Sequence, residues 1–289
     1  MKCQIVIGQG GKHNLLLDSP LIAGSNAILI KDRAAAPFGA VLTPLLSHTQ
    51  PQVAQPSFVR TSAGYLLSPG YGTQQWQQAR RQYRSENPLA GKPLIATISP
   101  LDAREAFKLA QVLGSWEQIE GIALYLTDGQ TPVELLDIVK AINSVTDLPL
   151  LVRMPFTDPM SYARMCTDVS VGALIVSAPP QGEALDGEQT YLRGELHSPA
   201  MVPLYASLIR QLRSITDLPI IACADASSTQ DVIILVGAGA EAVILEGVLW
   251  VQPNVAETIH RELDERAQHW QVDTWQAFSQ HLRQHAVLP

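Results

Sequence analysis

Cysteine is scarce in this sequence: Cys3, Cys166 and Cys223 are its three, and no two stand at the spacing of a metal-binding or redox pair. The scatter argues against a disulfide framework or a cysteine-built zinc site and predicts reduced thiols in a cytoplasmic protein. Charge is sparse as well, at 16% of residues with a net of −7, and no basic run exceeds a pair. That balance argues against a sequence-independent grip on nucleic acid. The opening MKCQIVIGQGGKHN lacks the long apolar run of a signal peptide. The most apolar stretch, IILVGAGAEAVILEGVLWV at 233–251, is broken by Glu241, Glu246 and glycines. It reads as helix end, turn and strand, with no membrane span.

What is present is a chain of 289 residues, 46% hydrophobic, long enough for one large core. A phrase repeats: INSVTDLPLLVRM at 142–154 returns as LRSITDLPIIACA at 212–224. Each copy ends a helix, turns through Asp-Leu-Pro and enters a short apolar run without alternation, the pattern of a parallel strand covered on both faces. Runs of this kind occupy 20–24, 40–46, 92–99, 121–126, 148–154, 172–178, 218–224 and 241–247. Amphipathic helices are expected near 74–87, 102–115, 131–144, 158–168, 200–214 and 228–237, with another after Pro253. Eight strand–helix units in one domain predict an α/β fold, a (β/α)8 TIM barrel, with a doubly wound sheet as the alternative.

Two parts stand outside the repeat. Residues 1–18 read as an N-terminal β-hairpin capping the bottom of the barrel at 19–265, and 266–289 as a C-terminal helical tail. In that tail His281 and His285 are expected on a solvated face. Residues 50–73 and 179–199, rich in Pro, Gly, Ser and Gln, read as long loops at the C-terminal face, where barrel function concentrates.

The order of phrases resembles the dihydroorotate dehydrogenase family, especially its soluble FMN-binding class, over roughly residues 19–265. PLIAGSNAI looks like that family's first strand, FGAVLTPLLS its second and AGYLLSPGYG its substrate-side loop. LPLLVRMP resembles the strand that carries a flavin-contacting lysine. GELHSPAMVPLYASLIRQL resembles the stretch from the sixth loop into the next helix, and LPIIACADASSTQDVIILVGAGAEAVILEG the phosphate-binding end. The resemblance implies FMN-dependent oxidation of dihydroorotate to orotate in pyrimidine biosynthesis. It places the FMN site at Ala23, Gly24, Thr43, Arg153, Ser177, Gly194, Ala224, Asp225 and Gly247. It also implies a homodimer, and a barrel that no longer catalyses could serve another protein partner.

This chain departs from the family at most of those places. Pro44 stands for a lysine after the Thr of the second strand, and Arg153 for the lysine of the fifth. Leu67 and Ser177 replace asparagines. The loop with the catalytic Cys or Ser base reads Tyr125, Leu126, Thr127, Asp128, Gly129, Gln130. In the phosphate turn Ala224 and Asp225 replace glycines, and Glu246 with Gly247 replaces Gly-Thr. At an effective dielectric near 20, a carboxylate ~6 Å from a dianion costs about 5 kcal/mol. Asp225 and Glu246 therefore predict that FMN is not bound in the family's pose, unless both point away or pair with Arg153 or Arg193.

Asp128 and Arg153 are the candidate catalytic residues. A carboxylate in a dry pocket can act as a base, although Asp128-Gly129 also suits a tight turn before a helix at Thr131-Pro132. His197 with Glu195 is a conceivable acid/base pair, set against the plainer reading of a surface-loop histidine. No metal site is expected. Three readings stay open: a flavin oxidoreductase with an altered site, a pseudoenzyme with a structural or interaction role, and a barrel repurposed for other chemistry at an acidic, cation-holding mouth formed by Asp128, Arg153, Asp225 and Glu246.

Overall fold

The computed structural model describes residues 1–8, 13–25, 37–48, 57–62, 64–68, 73–85, 91–126 and 129–285. A hairpin of β1 (Ile5–Ile7) and β2 (Leu15–Leu17) comes first, pairing Ile5 with Leu17 and Ile7 with Leu15. Its buried positions alternate with exposed Val6 and Leu16, as a sheet with one covered face requires. The His13 main-chain N–H donates to the carbonyl of Asp147, just before a barrel strand, which sets the hairpin against that end of the barrel.

Eight parallel strands form the barrel wall: β3 (Leu21–Ala23), β4 (Ala40–Ser47), β8 (Leu94–Ile98), β9 (Ile119–Tyr125), β10 (Leu150–Arg153), β11 (Ala173–Val176), β14 (Ile220–Cys223) and β15 (Ala242–Leu245). Their order follows the chain, and β15 pairs with β3, which pairs with β4, so the sheet closes on itself. A short β7 (Thr73–Gln75) adds to β4 outside the ring. The apolar runs read from the sequence coincide with these strands. Buried on the outer face by helices and on the inner face by the side chains that fill the barrel, they have no reason to alternate.

The helices are α1 (Trp76–Ser85), α2 (Ala103–Gly114), α3 (Pro132–Asn143), α4 (Pro159–Thr167), α5 (Val202–Arg213), α6 (Thr229–Ala238), α7 (Val248–Val251), α8 (Val255–His269) and α9 (Trp275–His285). Local chemistry sets their ends. Thr131 and Glu134 form a capping box with Pro132 in the first turn of α3. Asp102 accepts from the N–H of Glu105 at 2.8 Å to start α2, and Gly239, at φ 123°, stops α6. The repeated TDLP phrase makes the same turn twice: Thr146 accepts from the N–H of Leu148 at 3.2 Å, and Thr216 from that of Leu218 at 3.1 Å. Among the described residues no helix is long and apolar enough to cross a membrane, and the three cysteines are free thiols.

Two expectations are corrected. Much of 50–73 and 179–199 is ordered strand: β5 (Ser57–Thr61), β6 (Gly64–Ser68), β12 (Gln181–Leu185) and β13 (Tyr191–His197) make a four-stranded antiparallel sheet over the mouth, in the order β12-β13-β6-β5. Short alternating stretches such as YLRGELH carry it, inside a composition that reads as loop. In the tail, Trp275 and Phe278 are buried, and His281 lies half-buried with its ring 4.7 Å from that of Trp270, so it does not sit on a solvated face. His285 lies outside the described side chains. The tail is tied to the start of the chain by hydrogen bonds from Lys2 to Asp273 and from Trp275 to Lys2.

Candidate functional site

The strands' C-terminal ends point their last side chains into the mouth, where two charged clusters meet. The first is built on Arg153 and Glu246. Arg153 ends β10 and is 3% exposed, and Glu246 follows β15 at 1%. The guanidinium donates through Nη2 to Glu246 Oε2 at 2.9 Å and lies 4.2 Å over the ring of Tyr125. Ser25 donates to the other carboxylate oxygen at 3.3 Å, and Cys223 Sγ lies 3.4 Å from Oε2. Burial alone would lower the Arg153 pKa, but Glu246, with smaller contributions from Tyr125, Cys223 and Glu195, outweighs it and holds the charge. The same burial, reinforced by Glu246, pushes the Cys223 thiol well up, so it stays protonated and unreactive.

The second cluster joins the mouth sheet to the barrel. His197, 1% exposed at the end of β13, places Nδ1 2.5 Å from Asp225 Oδ2 and Nε2 3.5 Å from Glu195. Its ring stacks on Tyr65 at 5.1 Å and 3°, and Tyr65 stacks on Phe58 at 4.7 Å. Burial would lower the histidine pKa, yet Asp225 raises it to about 10, so the ring is an imidazolium at neutral pH. Burial would conversely raise Asp225, and His197 with main-chain N–H groups of Val248 and Gly247 holds it below the usual carboxylate range. A surface-loop histidine was the plainer expectation. The correction follows from β13, whose pairing of His197 with Tyr65 turns the ring into the mouth.

The remaining positions matched to the family's cofactor site are committed to the fold. Ala23 closes β3, and Gly24 donates to the Leu245 carbonyl at 2.8 Å with Glu246 packed where a side chain on Gly24 would stand. Thr43 bridges strands, accepting from the N–H of Thr97 at 2.9 Å and donating to the Pro44 carbonyl at 2.8 Å. Ser177 is buried and donates to the Ala178 carbonyl at 3.0 Å. Gly194 pairs with Gly182 in the mouth sheet. Ala224 is buried, and Gly247 lies directly under the Tyr65 hydroxyl. Asp128 lies outside the described residues.

These residues do not fit FMN. A flavin phosphate needs unoccupied main-chain donors, whereas the Asp225 carboxylate already accepts from the Val248 N–H at 3.1 Å. The space above Gly24 and Gly247 is taken by Glu246 and Tyr65. Of the mouth acids, Glu246 is neutralised by Arg153 and Asp225 by His197. Among the described residues no group of three His, Cys, Asp or Glu side chains is placed to hold a metal ion. Tyr65 and Tyr125 were missed as site residues. A tyrosine inside the apolar GYLLS of a polar segment was the available signal for Tyr65.

No family model matches the chain. Among curated proteins it is similar to the catalytic subunit of dihydroorotate dehydrogenase B (NAD+) from Citrifermentans bemidjiense, 26% identical over 144 residues. That match covers 47% of each chain, about half of the relative's length. The proteins of the same name from Streptococcus pneumoniae strain R6 and Solidesulfovibrio magneticus are 24% identical over 221 residues and 25% over 243, covering 70% and 78% of each chain. With the closed eight-stranded barrel and the order of its strand ends, these similarities make the chain a distant relative of the dihydroorotate dehydrogenase family.

Proposed function

We propose that this chain is a dihydroorotate-dehydrogenase-like barrel that has lost FMN-dependent oxidation of dihydroorotate to orotate and acts as a non-catalytic interaction partner in the cytoplasm. The observation that carries the reading is the Arg153–Glu246 pair, which fills the barrel mouth with a desolvated ion pair. FMN held through these family positions would have to break that pair, and an uncompensated buried charge costs several kcal/mol, about 3–5 where measured. Free thiols support the cytoplasm. The similar proteins are named as catalytic subunits, which supports a descent from barrels that work in assemblies. The partner in this reading is another protein or a second copy of the chain.

The purified protein tests this directly. It is expected to be colourless, to release no FMN on denaturation, to leave dihydroorotate unoxidised with FMN added, and to melt at the same temperature with or without FMN. A ligand at a hundred times its dissociation constant would stabilise by about 2.7 kcal/mol, a shift easily seen. A yellow protein carrying stoichiometric FMN would overturn the proposal.

A further inference from the structure

We infer that the groove lined by His48 and the first two turns of α2 is a docking site for an acidic segment of a protein partner. The inference rests on the reading of the chain as an interaction partner and says which face meets that partner.

Charge is divided unevenly over the chain. α1 reads WQQARRQYRS, with three arginines and no acid, and α2 adds Arg104 and Lys108 against Glu105 alone, although the whole chain carries a net of −7. The two helices share one surface. Trp76, which opens α1, donates to His48 Nδ1 at 3.2 Å, and His48 lies in a groove with α2. Tyr83, near the end of α1, stacks on Trp116 just beyond α2. A basic face on an acidic protein attracts acidic partners and steers their approach.

The groove has a volume of about 580 Å³ and is lined by His48, Asp102, Arg104, Glu105 and Lys108. Its two carboxylates are engaged in starting α2: Asp102 accepts from the Glu105 N–H at 2.8 Å, and Glu105 from the Leu101 N–H at 2.9 Å. The positive end of the helix dipole faces both. Arg104 and Lys108 are exposed one turn apart, and neither forms an ion pair among the described residues. His48 adds a further donor. The indole N–H of Trp76 can only donate, so Nδ1 of His48 accepts and the ring proton sits on Nε2, which is buried and has no partner. A ligand oxygen would satisfy it.

The shape selects a chain over a small ion. One carboxylate would fill little of so large and open a groove, and apolar side chains border it. Leu101 is 75% exposed, and Phe107, at 40%, shares the α2 face with Arg104 and Lys108. An acidic peptide with aliphatic side chains meets both features: its carboxylates find the guanidinium fork of Arg104, the ammonium of Lys108 and the Nε2 proton, and its aliphatic groups cover Leu101 and Phe107. Nucleic acid would use the charges and leave the apolar border uncovered.

The experiment follows a short fluorescein-labelled peptide of glutamate and leucine by fluorescence anisotropy against the full chain. Its controls are the same peptide with glutamine for glutamate and a labelled single-stranded oligodeoxynucleotide. The acidic peptide is expected to bind saturably, more weakly as salt rises, and at least about tenfold more tightly than the glutamine peptide. Arg104→Glu and Lys108→Glu change exposed positions and should each weaken binding about tenfold, because attraction becomes repulsion. His48→Phe, with its circular dichroism checked, should weaken it less. Arg261→Glu makes the same change of charge on the exposed face of α8 and should leave binding unaltered. No binding of the acidic peptide, equal binding of the glutamine peptide, an equal loss in Arg261→Glu, or tighter binding of the oligonucleotide would each overturn the inference. FMN content of the same preparation reports separately on the reading beneath it: a colourless protein that ignores the peptide loses the docking site and keeps the closed mouth.

Discussion

Arg153 and Glu246 meet across the inside of the barrel at 2.9 Å, although the strands that carry them, β10 and β15, are separated in the ring by β11 and β14. The pair therefore spans the interior of the mouth and braces non-adjacent staves. Its charges are desolvated, so its value lies in being complete: replacing both partners by apolar groups is often harmless, while losing one strands the other.

Glu246→Ala is accordingly expected to lower the free energy of unfolding by about 3–5 kcal/mol. The double variant Arg153→Met with Glu246→Leu should lose much less. Urea denaturation of the three proteins measures the difference, and equal losses in the single and double variants would contradict the bracing role.

The His197–Asp225 pair sets a pH dependence. His197 has its folded pKa raised from 6.5 to about 10. Its contribution is fully present below 6.5 and is lost as pH rises through about 10. Asp225 is shifted the other way, so its contribution is present above its unfolded value and is lost as pH falls through the folded one. Denaturation midpoints should thus decline from neutral pH toward pH 10, and His197→Gln should flatten that decline. A variant with an unchanged alkaline slope would refute the assignment.

Gly247 and Tyr65 give a steric test. A Cβ on Gly247 would coincide with the Tyr65 hydroxyl, so Gly247→Ala is expected to cost about 1–3 kcal/mol by overpacking. Tyr65→Phe removes a buried hydroxyl that has no partner and should be neutral or mildly stabilising. Combining the two should recover part of the Gly247→Ala loss. Calorimetry of the set reads this out, and strict additivity would mean that the two residues do not touch.

The barrel was legible because its strands are written as repeats: the turn made by Thr146 before β10 recurs at Thr216 before β14, and both runs are apolar without alternation. The helix start at Thr131-Pro132 stands in the sequence as it stands in the fold. Pairing of Glu246 with Arg153 was foreseeable as a way to bury both. The mouth was harder to read because its contacts join distant segments: Tyr65, His197, Asp225 and Gly247 come from four separate elements, and no local period links them. The strands β5, β6, β12 and β13 were hidden by turn-rich composition, since cross-strand partners, more than intrinsic preference, decide such short strands.

The mouth sheet is assembled from two hairpins, one inserted after β4 and the other after β11, that meet where Tyr65 pairs with His197. Neither can find its partner until the staves between them are in place, because a two-stranded ribbon is marginal alone and closing so long a loop is entropically unfavourable. The cover thus shares with the β15–β3 pairing that closes the ring the cost of joining segments far apart in sequence. The seal over the mouth is therefore a contact between two insertions, so a change in either hairpin reaches the mouth through the other.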